Sequence, residues 1–275
     1  VYLPMAKSIA VSRQSHLLGA IIGDIVGSRF EHARTKNPNP YNFEAIPNNG
    51  GCTFTDDSVL TIAVAHALIH NKPYDETIRF WARKYPSAGY GASFNKWMRD
   101  DSLGPYNSWG NGSAMRVSPC GYLPTLERVL EEAKASAECT HDHPEGIKGA
   151  QATAACIYMA RHGGTKEEIR SYVTSTFGYD LDRTIESIRP TYTFDVSCQG
   201  SVPESLIAFF DGKDYEDTIR LAVSLGGDTD TQAAIAGSIA QAFYKEIPLE
   251  LETRARNLLT KEMLVVVDEF NSHFD

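Results

Sequence analysis

The residues best suited to chemistry stand in two short runs. In SLGGDTDTQAAIAG (Ser224–Gly237), Asp228 and Asp230 alternate with Thr229 and Thr231 directly before a small-residue helical pattern. In FTDDSVL, Thr55, Asp56 and Asp57 precede the strongly apolar SVLTIAVAHALIH. An acid at a helix start caps free N–H groups and complements the helix dipole, so either run alone has a purely structural reading. Together they point further. Packing the two apolar helices side by side brings four carboxylates to one place, where they must take up protons or share a cation. Asp carboxylates and Thr hydroxyls, with no Cys or His beside them, are hard oxygen donors that favour Mg2+, Mn2+ or Ca2+ over zinc. Donors from two helix starts suffice for two ions, an arrangement that activates water. No EF-hand loop is present. Glu31, at the end of the GDIVGSRFE run, offers one more carboxylate to the same place.

Two other segments carry polar residues in suggestive places. YNSWGNGSAMRVSP (Tyr106–Pro119) is glycine-rich where a helix begins, so its N–H groups can meet phosphate oxygens. It lacks the GK[ST] of a Walker loop and follows no strand pattern. THDHPEG offers His141 and His143 at i and i+2 in a turn, a poor pair for a metal and an ordinary helix entry. In GYGASFNKW, Tyr90, Gly91 and Ser93 stand at a helix start, while Phe94 and Trp97 read as core.

The elements that must position these residues are helical. Apolar residues recur at three- and four-residue intervals in Ser15–Glu31, Ser58–His70, Tyr74–Tyr85, Thr125–Thr140, Pro144–His162, Thr165–Phe177, Tyr215–Leu225, Asp230–Ile247 and Leu251–Phe270. Several open on Thr, Asp or Ser followed by acids. Ser187–Gly200 reads as extended or looped. No Pro-, Gly- or Ser-rich linker divides the chain, so the expected fold class is all-α, a single compact many-helix domain over 1–275. Residues 1–14 read as disordered or appended, with Met5 as a natural start. The chemically unusual residues fall in the connections Pro38–Asp57, Tyr90–Arg116 and Gly226–Asp230, where function is usually carried.

Composition narrows the partners. With 26 basic and 35 acidic residues among 275, the net charge is −9, and no basic run or stripe favours nucleic acid. No apolar run reaches the length of a membrane span. Five scattered cysteines without a CxxC spacing argue against a disulfide framework or zinc site, which implies a reducing cytoplasm. The charge leaves room for a small phosphorylated ligand met in a local pocket, and a monomer is expected.

In order along the chain, GAIIGDIVGSRFE, FTDDSVLTIAVAHAL, GNGSAMRVSP, THDHPEGIKGAQATAA and SLGGDTDTQAAIAGSIAQAFY resemble the blocks of the ADP-ribosylglycohydrolases, over roughly Leu17–Tyr244. The resemblance implies an all-α fold with a binuclear Mg2+ or Mn2+ centre in a cleft. It implies Thr55, Asp56, Asp57, Asp228, Asp230 and Thr231 as metal ligands, and Glu31 as a mobile glutamate at the metals. Asn111, Gly112, Ser113 and Met115 would lie along a diphosphate and ribose, with His141 near the phosphates or adenosine. The implied substrate is an ADP-ribosylated protein or small molecule, cut at the anomeric carbon. Asp56 or Asp57 would be the base, and Glu31 a proton donor or gate. Arginine is the favoured acceptor, with serine, a nucleobase or a small adduct as others. The rivals are another Mg2+-dependent phosphoester or pyrophosphate hydrolase, and a non-catalytic ADP-ribose-binding protein.

Overall fold

The structure is a computed structural model that describes residues 15–31, 36 and 51–274. The expectation about residues 1–14 lies outside the described residues. In chain order the helices are α1 (Leu18–Ser28), α2 (Asp56–His70), α3 (Tyr74–Lys84), α4 (Ala92–Arg99), α5 (Gly112–Met115), α6 (Leu126–Glu138) and α7 (Pro144–Arg161). They continue as α8 (Lys166–Phe177), α9 (Ile185–Ile188), α10 (Cys198–Asp211), α11 (Tyr215–Ser224), α12 (Thr229–Tyr244), α13 (Leu249–Leu258) and α14 (Lys261–Phe274). A 3-10 turn, Ser118–Tyr122, follows α5. Among the described residues there is no sheet, only one antiparallel bridge between Gly110 and Ser197. No described helix is long and apolar enough to cross a membrane. All five cysteines are free.

The pair α1 and α12 forms the spine. Gly19, Gly23 and Gly27, four residues apart, lie on one face of α1, and that face meets the backbone of α12. A methyl group at Gly23 would collide with the carbonyl of Ala233, and one at Gly27 with that of Thr229. The absent side chains let the two backbones touch, and Gly237 answers against the Gly19 carbonyl. The Thr229 hydroxyl donates to the Gly27 carbonyl at 2.9 Å, tying the start of α12 to the end of α1. Helix α2 is buried along Asp57–Ala65 and packs beside them. Its start, the start of α12 and the end of α1 therefore come together at one end of the bundle.

Two expectations are corrected. Ser187–Gly200, read as extended or looped, is non-helical over 189–197, but its first two residues close α9, and Cys198 opens α10, a buried helix that contains Pro203. Leu251–Phe270 is two helices, because α13 ends before Leu259, which is extended at φ −73° and ψ 150°. Between α9 and α10 the chain runs beside Trp109–Asn111. The Asn111 N–H donates to the Val196 carbonyl, and the Cys198 N–H to the Trp109 carbonyl, each at 2.8 Å. This pairing carries Phe194 and Val196 to the mouth of the cavity described next.

Candidate active site

Helix α2 starts as its sequence dictates. Thr55 is the N-cap, extended at φ −118°, and its hydroxyl accepts from the Asp57 N–H at 3.4 Å. The Asp56 N–H is taken by the Ala88 carbonyl at 2.8 Å. At the other start, Gly226 adopts φ 67°, a conformation that glycine enters freely, and turns the chain into the Asp228 N-cap of α12. The two starts face one cavity of about 480 Å³, a size suited to a nucleotide-sized ligand. Thr55, Asp56, Asp57, Asp228, Asp230 and Thr231 all line it. Glu31 reaches it from the turn after α1, and one carboxylate oxygen from each of Glu31, Asp228 and Asp230 lies within 4.8 Å of the others.

Asp24 completes the group, and sequence reasoning missed it. It stands inside α1, fully buried, with an oxygen within 4.8 Å of oxygens of Asp57 and Asp230. Its carboxylate accepts from the Thr55 N–H (2.9 Å), the Thr55 hydroxyl (2.7 Å) and the Ser58 N–H (3.1 Å), and also from the Ser58 hydroxyl. A residue of α1 thus satisfies free donors at the first turn of α2 and fixes the turn that carries Asp56 and Asp57. The signal available in the sequence was an acid in mid-helix, flanked by Gly and Ile, with no cation three or four residues away.

The electrostatics follow from burial. Asp57 and Asp230 are 2% and 4% exposed. Loss of water, followed by the charges of neighbouring aspartates, pushes both far above the usual carboxylate range. The same causes raise Asp56 to about 8. Asp24 rises to about 6, because burial outweighs its hydrogen bonds from Ser58 and Thr55. The Thr231 hydroxyl donates to Asp57 Oδ2 at 3.3 Å, yet Asp57 Oδ1 is buried with no hydrogen-bond partner. An orphaned carboxylate oxygen among mutually repelling acids is a donor that a cation could satisfy. Arg116, the one arginine or lysine among the described lining residues, is held instead by the Ser136 carbonyl and the Thr140 hydroxyl. The donor set, all carboxylate and hydroxyl oxygen, fits a hard divalent cation.

The second half of the cavity holds most of the remaining sequence candidates. Asn111, Gly112, Met115 and His141 line it. The Asn111 side chain, however, donates to Asp228 Oδ2 at 2.7 Å, so it orients a carboxylate instead of reaching along the cavity. Ser113 is placed differently: it is fully buried, its side chain does not line the cavity, and its hydroxyl donates to the Gly146 carbonyl at 2.7 Å. His143 caps α7, accepting from the Glu145 N–H at 3.1 Å, the ordinary helix entry expected of it. Gly91, Ser93 and Phe94 form one wall, with Tyr90 stacked on Phe94 at 5.1 Å. Phe194 and Val196, both about half exposed, form the opposite lip.

Comparison with known proteins gives the fold and the family. A solved structure described as an ADP-ribosylglycohydrolase-related protein complex superposes with a TM-score of 0.70 at 24% identity, covering 94% of this chain and 96% of that one. The ADP-ribosylhydrolase ARH3 of Mus musculus is 26% identical over 319 aligned positions, spanning 87% of this chain and 85% of its own. The ADP-ribosylarginine hydrolase Tri1 of Pseudomonas putida is also 26% identical, over 83% of this chain and 69% of its own. The family model for ADP-ribosylglycohydrolase matches residues 14–273. With that match running through every helix around the carboxylate cavity, the chain belongs to the ADP-ribosylglycohydrolase family.

Proposed function

We propose that the protein hydrolyses the N- or O-glycosidic bond joining ADP-ribose to an acceptor and releases ADP-ribose, using two Mg2+ or Mn2+ ions held by Thr55, Asp56, Asp57, Asp228, Asp230 and Thr231. One observation carries the reading: acids at the starts of α2 and α12 line a nucleotide-sized cavity, with Asp24 of α1 close to Asp57 and Asp230 and with Asp57 Oδ1 left unpaired. The names borne by the relatives ARH3 and Tri1 support it. Bound divalent ions supply positive charge that orients ribose hydroxyls and lowers the pKa of a water.

The protein groups do the remainder. Asp57, pinned between Thr55 and Thr231, is a fixed ligand. Asp56 is less buried, lines the cavity and takes the proton of the attacking water. The carboxylates stabilise the positive charge that develops at the anomeric carbon. Glu31, at the edge of the cluster, returns a proton to the departing acceptor. Asn111, Gly112, Met115 and His141 receive the diphosphate and adenosine side of the ligand. A strongly acidic reaction centre suits a cationic leaving group, and the relative Tri1 is named for ADP-ribosylarginine, so arginine is the proposed acceptor. Five free cysteines fit a reducing cytoplasm, and a monomer suffices because one chain supplies every group used.

The test is product analysis. Incubated with ADP-ribosylated arginine, serine and nucleobase substrates and Mg2+ or Mn2+, the protein is expected to release intact ADP-ribose from the arginine adduct and to lose activity in chelator. Phosphate or AMP as the first product would mark a phosphoester or pyrophosphate hydrolase instead. Absence of ADP-ribose from every substrate would refute the reading.

A further inference from the structure

The cavity wall opposite the acids contains a relay that the reaction scheme leaves unused. Arg116 is fully buried, and its Nη2 donates to Thr140 Oγ1 at 2.8 Å. Thr140, also fully buried, places the same Oγ1 at 2.7 Å from Nδ1 of His141. A guanidinium only donates, so the Thr140 oxygen must accept from it. That hydroxyl has one hydrogen to give. Tyr106 and Cys139 also interact with this hydroxyl, and the His141 ring nitrogen lies 2.7 Å from it. Directed at Nδ1, that hydrogen makes the ring nitrogen an acceptor, and a neutral imidazole so held carries its own hydrogen on Nε2.

The Nε2 edge is the one turned to the cavity. A Cβ on Gly112 would come within 3.0 Å of Nε2, and one on Gly110 within 3.5 Å. The two glycines leave that edge open, and His141, Gly110 and Gly112 all line the cavity. We infer that Arg116 and Thr140 are positioning residues that lock His141 as an Nε2–H donor, so that this wall selects a ligand atom that accepts a hydrogen bond, such as a phosphate oxygen or a base nitrogen. Burial, reinforced by the Arg116 charge, keeps the ring neutral, so the single donor persists at neutral pH. The ligand half of this inference rests on the proposed ADP-ribose chemistry; the tautomer half does not.

Long-range proton–nitrogen NMR of the intact, histidine-labelled protein separates the two halves, with His141 assigned by its disappearance in His141→Gln. The expected spectrum at neutral pH is a neutral ring protonated at Nε2. Thr140→Val, which keeps the shape but removes the hydroxyl, should abolish that preference, and Thr140→Ser should restore it. Thr140→Val should also weaken ADP-ribose binding by about tenfold, the loss of roughly one hydrogen bond to a charged group. Added ADP-ribose should move the Nε2–H signal. A shift with AMP but not adenosine would identify a phosphate oxygen as the acceptor, and a shift with both the nucleoside. A wild-type ring protonated at Nδ1 or on both nitrogens, or a spectrum unchanged in Thr140→Val, would overturn the relay. The expected tautomer with no response to ADP-ribose would overturn the ligand reading and leave the relay standing.

Discussion

Asp230→Ala is expected to lose turnover by about a thousandfold or more while its metal-free form becomes more stable than the wild type. Asp230 sits at the start of α12, almost fully buried, with an oxygen close to Asp24 and Asp57 in one direction and to Glu31 and Asp228 in the other. No other cluster member belongs to both groups. Its loss removes a ligand from between the two halves, and interactions of this kind with a reacting centre are worth hundreds- to thousandfold each. The stability change has the opposite sign. A buried carboxylate surrounded by carboxylates costs free energy without a cation, and alanine removes both the desolvation and the repulsion. Melting of the metal-free proteins at about pH 8 should place the variant above the wild type by a few degrees, since 1 kcal/mol corresponds to about 2–4 °C at this size. Equal activity, or a metal-free variant that melts lower, would contradict this account of the cluster.

The second large effect is a coupling of pH, metal and stability. Asp24, Asp56, Asp57 and Asp230 all have folded-state pKa values raised above the ordinary 3.8. The folded chain therefore holds more protons than the unfolded chain between those limits, and stability falls as pH rises. The stability present below about pH 4 is lost as pH passes the folded values, about 6 for Asp24 and about 8 for Asp56. The chelated protein should melt progressively lower from about pH 5 to about pH 8.5, judged against the general carboxylate background of acid unfolding. Mg2+ or Mn2+ at a hundred times its dissociation constant should return about 2.7 kcal/mol, a rise of about 5–10 °C, and most at the alkaline end. A melting temperature that rises with pH in chelator and ignores both ions would exclude a buried acidic metal site.

Much of the site is legible in the sequence because its residues sit where local rules make them conspicuous. TDD and GGDTDT stand before apolar helices, and too many acids for one cap is a local anomaly. Asp24 shows no such pattern: it lies within an apolar helix, and its partners are 31 and 34 positions away at Thr55 and Ser58. Only the glycine-faced contact of α1 with α12 makes its carboxylate part of the site. Helix α10 was hidden by Gly200 and Pro203, which lower helix propensity; burial of Val202, Leu206 and Phe209 overrides them. Ser113 illustrates the converse. Its motif implies a ligand contact, but in the four-residue α5 its side chain points away from the cavity and its hydroxyl donates to the Gly146 carbonyl. Which side of a short helix faces a cavity depends on what packs behind it, and that information is distant in sequence.

Anomalous scattering from crystals grown with Mn2+ tests the central claim most directly. The account predicts manganese peaks in the cavity between Thr55–Asp57 and Asp228–Thr231, with one in contact with Asp57 Oδ1. Crystals saturated with Mn2+ that show no peak among these carboxylates would contradict it.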